Sequence, residues 1–166
     1  MFMEFACLMG IFLICMWPCV WLAVAVHELG HLFFAWLLGC KPFALVIGSP
    51  YKPALRFSIG NFEFMFTPYI WDGQVVLAHV PESRVVLAVV VAAGPVANLA
   101  AFLAVFFWRG LKDLGLFSED PGFTNPSTYW LLFLAVNLSY GVTQLIPVSW
   151  VSGDGVELLK IIRGSK

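Results

Sequence analysis

The residues His27-Glu28-Leu29-Gly30-His31 match H-E-x-x-H, a spacing that suits metal chemistry. On a helix, positions i and i+4 share a face, so the two imidazoles can grip one ion. Glu28 is offset by about 100 degrees around the helix and stands near the metal without having to ligate it. Zn²⁺ takes two neutral imidazoles and one carboxylate and leaves its fourth position for water. The metal lowers the pKa of that water towards ~7, and Glu28 is placed to accept its proton as a general base. A chance match in a chain of this size and composition has odds under ~1%. The reading without chemistry is a hydrogen-bonded polar patch between helices.

The setting sharpens the pattern. The 166 residues are 61% hydrophobic and 11% charged, against roughly half and a quarter in a soluble domain. That composition points to a membrane protein. An ionisable residue deep in a membrane helix costs roughly 2.5 to 3.5 kcal/mol, so His27, Glu28 and His31 are expected to serve a function there.

Three runs without Asp, Glu, Lys or Arg, Phe5 to Val26, Val85 to Trp108 and Ser127 to Pro147, each exceed the ~18 residues of a spanning segment. They predict a membrane α-helical fold with three transmembrane helices, at about 5–39, 85–108 and 127–147, in a single unit over 1–166. The first would be ~50 Å long and overshoots a ~30 Å hydrocarbon core, so Pro18 predicts a kink or a change of direction. Gly39 followed by Pro42 ends it. Ala23-Val24-Ala25 looks like a signal cleavage site, but the start has no Lys or Arg and the apolar run exceeds the ~7 to 15 residues of a signal core. Between Lys41 and Arg84, the runs Phe43 to Ile47, Leu55 to Ile59 and Phe62 to Thr67 predict a small antiparallel, membrane-associated β-sheet, with Gly60-Asn61 as a hairpin turn. Leu111 to Pro126 reads as an external loop, and Asp154 to Arg163 as a short terminal helix.

Charge placement sets an orientation. Lys41, Lys52, Arg56 and Arg84 lie between the first two spans, and Lys160, Arg163 and Lys166 follow the third, while the other side has only Arg109 and Lys112. By the positive-inside rule, the first loop and the C-terminal tail face the cytoplasm, with the N-terminus opposite and the candidate site towards the cytoplasmic side. The lipid bilayer is thus an expected partner. The net charge of −1, without a dense basic cluster, suggests no nucleic-acid partner.

A third ligand must come from elsewhere. The first and third spans run in the same direction, which puts Asp154, soon after Pro147, on the correct face; Asp72 in the sheet region and Glu157, one turn beyond Asp154, are its rivals. Gly94-Pro95-Val96-Ala97-Asn98 interrupts the middle span with a small residue, a breaker and an amide, permitting close helix approach and freeing backbone groups. Helical rise puts Asn98 at a depth similar to that of the His pair. It is assigned a hydrogen bond to the substrate carbonyl or to the oxyanion as it forms; the alternative is an interhelical amide contact. Cys7, Cys15, Cys19 and Cys40 read as small apolar packing residues, Asn137 as a packing amide and His79 as structural. Trp17, Trp21, Trp108, Tyr129, Trp130 and Trp150 read as core or interfacial anchors.

H-E-x-G-H at His27 to His31, G-P-x-x-N at Gly94 to Asn98 and D-G at Asp154-Gly155 together resemble the site-2 protease family of intramembrane zinc metalloproteases over nearly the whole chain. The segment Ile47 to Val76 is loosely similar to the β-region that lines the substrate path in that family. The resemblance implies one Zn²⁺ held by His27, His31 and Asp154, with Glu28 and Asn98 as catalytic residues. It also implies a transmembrane or membrane-inserted substrate, presented as an extended strand. Two departures stand out: Gln144-Leu145-Ile146-Pro147 replaces N-x-x-P, and the interval from Pro147 to Asp154 is longer than the common one. The 166 residues are expected to lack the PDZ or nucleotide-sensing domains of larger members, which leaves substrate choice to the membrane core or to a regulatory membrane partner. The competing readings are a zinc-binding membrane protein or inactive relative that binds membrane segments without proteolysis, and a metal-free scaffold.

Overall fold

A computed structural model describes residues 2–48, 53–68, 73–113, 126–147 and 153–164. Helix α1 (Phe2–Leu37) is followed by strands β1 (Pro42–Ile47), β2 (Leu55–Ile59), β3 (Phe62–Phe66) and β4 (Gly73–Leu77). Helices α2 (Arg84–Asp113), α3 (Pro126–Leu145) and α4 (Asp154–Arg163) complete the order. The 36 residues of α1 continue through Pro18 without a change of element; at 1.5 Å per residue the helix is about 54 Å long. α2 likewise carries Pro95 inside it, and departs from helical geometry only at Gly110.

The expectation of three transmembrane helices is not met. Among the described residues, two of the four helices, over Met9–Leu37 and Arg84–Gly110, are long and apolar enough to cross a membrane. The third run lacks charge but is not uniformly apolar: Thr128, Asn137, Ser139, Tyr140, Thr143 and Gln144 dilute it. Freedom from charge was the wrong test there, because uncharged polar groups also resist transfer into hydrocarbon. The predicted external loop lies almost wholly outside the described residues, whereas the terminal helix spans Asp154–Arg163, ending on Gly164 in the left-handed region.

The sheet also differs from expectation. Its order is β2-β3-β1-β4, and it is mixed: β2 and β3 form the antiparallel hairpin turned at Gly60-Asn61, but β1 runs parallel to β3 and antiparallel to β4. Short turn signals announce hairpins and carry no information on a crossover, which is why the parallel pair escaped the sequence reading. β1 holds the centre, and its Ala44, Leu45, Val46 and Ile47 are all buried, a continuous apolar run rather than the alternation of a half-exposed strand.

The sheet packs on α1 at the level of the candidate site. Val24 and Ala25 of α1 form one core with Leu45 and Ile47, flanked by Trp21, Phe64, Phe66 and Tyr140. α2 closes on the neighbouring face of α1 because Gly30 lets the helices approach: a Cβ there would lie 2.5 Å from the Ala93 carbonyl oxygen and 2.6 Å from Ala97 Cβ. Gly30→Ala must therefore push α1 and α2 apart, and it is expected to destabilise the fold by about 1 to 3 kcal/mol, seen as a lowered Tm of the detergent-solubilised protein.

Candidate metal centre

The pattern on α1 brings both imidazoles to one face, with ring centroids 4.7 Å apart. His27 and Glu28 are each only 4% exposed. Asp154, the first residue of α4, projects its Oδ2 to 2.8 Å from His27 Nε2 and 3.4 Å from His31 Nε2. One ligand atom from each of the three residues falls within 4.8 Å of the others, close enough to hold a single metal ion. Tetrahedral coordination at bond lengths near 2.1 Å separates ligand atoms by about 3.4 Å, the spacing of Asp154 from His31, while the contact with His27 is shorter.

The hydrogen bonding fits a cation. His31 Nδ1 lies 2.7 Å from the Val90 carbonyl oxygen; a carbonyl can only accept, so Nδ1 carries the hydrogen and Nε2 is left with its lone pair. This is the arrangement by which a backbone carbonyl orients a ligating imidazole. The lone pair then faces Asp154 Oδ2, itself buried and without a hydrogen bond of good geometry. Two acceptors at that distance require a cation or a shared proton between them.

Two glycines make room for these groups. A Cβ at Gly94 would collide with the Nε2 atoms of both His31 and His27, and one at Gly73 would lie 2.5 Å from Glu28 Cγ and Oε1. Thus α2 backs the imidazoles, while the start of β4 backs the carboxylate. Residues from α1, β4, α2, α3 and the α4 start line a common cavity of about 580 Å³, among them His27, Glu28, His31, Tyr140, Gln144 and Asp154.

Of the rivals for third ligand, Glu157 is exposed and paired with Lys160 at 2.6 Å, and Asp72 lies outside the described residues. Asn98 is fully buried with neither side-chain polar atom hydrogen-bonded among the described residues, and it is not among the residues lining the cavity. Asn137 donates to the Phe133 carbonyl oxygen at 2.8 Å, within its own helix. His79 is exposed beside a separate cavity with Lys41 and Glu82. Sequence reasoning missed Tyr140, whose ring stands perpendicular to that of His27 at 5.1 Å, and Gln74 of β4. A usable signal existed for α3: Tyr140 and Gln144, four residues apart, share one face of the helix.

No family model matches the chain, and no curated protein matches it.

Gly94→Ala places a methyl group where the ligand nitrogens stand. The variant is expected to bind less than one divalent ion per chain under conditions that saturate the unaltered protein, with its helical circular dichroism retained; metal analysis after gel filtration checks this.

Proposed function

We propose that the chain is an intramembrane zinc metalloprotease that hydrolyses peptide bonds in membrane-spanning or membrane-inserted protein segments. The observation that carries this reading is the convergence of Asp154 on His27 and His31 with Glu28 beside them in one cavity. Zn²⁺ at those three residues would supply Lewis acidity to the attacking water and the scissile carbonyl. The resemblance of the three motifs to the site-2 protease family supports the same reading.

The chain's own groups divide the work. His27, His31 and Asp154 hold the ion, and Glu28 accepts a proton from the attacking water and returns it to the leaving amine. β4 is an edge strand, last in the sheet order, and Gly73, Gln74, Val75 and Leu77 line the cavity. An extended substrate segment can pair with that edge and bring its carbonyl to the site. Two helices of spanning length and apolarity support a place in the bilayer. Lys41, Lys52 and Arg56, between these helices, and Arg84, at the start of the second, favour a cytoplasmic connection and an N-terminus on the opposite side.

Glu28→Gln is expected to keep one zinc per chain while cleavage of a co-expressed single-span substrate falls by at least ~100-fold, whereas His31→Ala loses both zinc and cleavage. Full proteolysis by purified Glu28→Gln protein refutes the assigned base. A Cβ at Gly73 presses on the Glu28 side chain from Cγ outward, so the expected signature of Gly73→Ala is a lowered kcat with zinc content unchanged.

A further inference from the structure

We infer that Asn98 is a positioning residue for His27, its side-chain oxygen accepting a hydrogen bond from Nδ1–H when Nε2 of that imidazole is given to the metal. This rests on the proposal that His27, His31 and Asp154 hold zinc, and it does not depend on cleavage. The two imidazoles are held differently. His31 Nδ1 has the Val90 carbonyl oxygen at 2.7 Å, whereas His27 Nδ1 is buried without a hydrogen bond. An imidazole that ligates through Nε2 carries its hydrogen on Nδ1 and donates it to an acceptor, and a buried N–H left unpaired costs about 1 to 3 kcal/mol. His27 therefore needs the kind of partner that His31 already has.

Helix packing brings such a partner to it. α1 and α2 run antiparallel, since Ala35 and Cys40 share a core with Val86 and Val90, while Gly30 meets Ala93 and Ala97 around Pro95. His27 lies three residues before Gly30 and Asn98 three beyond Pro95, so the two stand level. Asn98 also follows Gly94 by four residues and shares its face, the face that abuts Nε2 of both imidazoles. Asn98 is fully buried, and neither its Oδ1 nor its Nδ2 has a hydrogen bond among the described residues. From α3, Tyr140 sets its ring against His27, and Asn137, less than one turn before it, is fully buried with its Oδ1 unpaired.

These unpaired atoms match in kind. Nδ1–H of His27 can donate to Oδ1 of Asn98, and Nδ2 of Asn98 to Oδ1 of Asn137, whose own Nδ2 already donates to the Phe133 carbonyl oxygen. The reorientation asked of Asn98 is a turn about χ2, a broad torsion. An amide also suits both states of the site. Turned over, it offers Nδ2–H to Nδ1 when the imidazole hydrogen sits on Nε2, facing Asp154 at 2.8 Å.

Asn98→Leu keeps the bulk and removes both polar atoms, whereas Asn98→Asp keeps the acceptor and removes the donor. Chelator competition on the detergent-solubilised protein should show zinc affinity lowered by about 10- to 100-fold in Asn98→Leu and undiminished in Asn98→Asp, with helical circular dichroism alike in all three proteins. A packing role predicts the reverse order, since a buried carboxylate disturbs a helix interface more than leucine does. Unchanged affinity in Asn98→Leu overturns the inference, and so does an Asn98→Asp protein as impaired as Asn98→Leu. If Asn98→Leu loses its helicity, histidine nuclear magnetic resonance decides: in the zinc-loaded protein the His27 Nδ1 proton must give a resonance that moves in Asn98→Asp, and an unmoved one overturns the assignment. If the unaltered protein takes up no zinc, the metal reading fails and takes this assignment with it; zinc uptake that is lost in His31→Ala but kept in Asn98→Leu removes the inference alone.

Discussion

A carboxylate that meets two imidazoles away from water is costly unless positive charge balances it, and the meeting of Asp154 with His27 and His31 places demands on the rest of the fold. The three groups come from distant parts of the chain, so their meeting fixes α4 relative to α1. Both ends of α4 are pinned. Near its start, Gly155 sits so close to the Leu145 and Ile146 backbone that a Cβ would lie 2.6 Å from one carbonyl carbon and 2.9 Å from the other. Near its end, the Arg84 guanidinium lies beside Gly164, where the terminal carbonyls of α4 concentrate negative partial charge. Arg84 opens α2, the helix that also supplies the Val90 carbonyl to His31. One helix therefore orients His31 directly and steadies the element that bears Asp154.

The same constraint explains why small residues gather round the site. Imidazoles and carboxylates reach one another only if the backbones behind them stand close, and side chains there would occupy the ligand positions. Gly94 behind the imidazoles, Gly73 behind Glu28 and Gly30 between α1 and α2 each leave room that a methyl group would fill. In a helix interior glycine is unfavourable by about 1 kcal/mol relative to alanine, so at Gly30 and Gly94 propensity is sacrificed for approach. Pro95 adds a second concession, removing a hydrogen bond from α2 one residue after Gly94.

The parts of this arrangement that were legible in sequence are those set by local spacing. The i, i+4 pair on α1 needs only helical periodicity and Gly60-Asn61 needs only turn chemistry, whereas the sequence argument for Asp154 depends on a third span that α3 does not supply. The parallel β1–β3 pairing was hidden because register across a crossover depends on packing against α1, and no short segment encodes that. The absence of charge in α3 is not apolarity, since Asn137, Tyr140 and Gln144 are polar. Tyr140 was passed over for a related reason: a tyrosine in an apolar helix reads as a core aromatic, which it partly is, and only the assembled cavity reveals its second contact, with His27.

The wall formed by β4 bears on the kind of chain the cavity can admit. Helices satisfy their backbone groups internally, so α1, α2 and α3 can offer a visiting peptide only side chains. An edge strand has N–H and C=O groups on its outer side that a second strand can engage. β4 pairs with β1 on one side and borders the cavity at Gly73, Gln74, Val75 and Leu77. A helical segment keeps its carbonyls engaged and cannot exploit such an edge, whereas an unwound one gains new hydrogen bonds as it gives up its own. Under the protease reading, the strand edge thus offsets part of the cost of unwinding in an apolar medium, where an unpaired backbone group is at its most unfavourable, and it favours segments whose helices are already weakened by glycine, proline or polar residues.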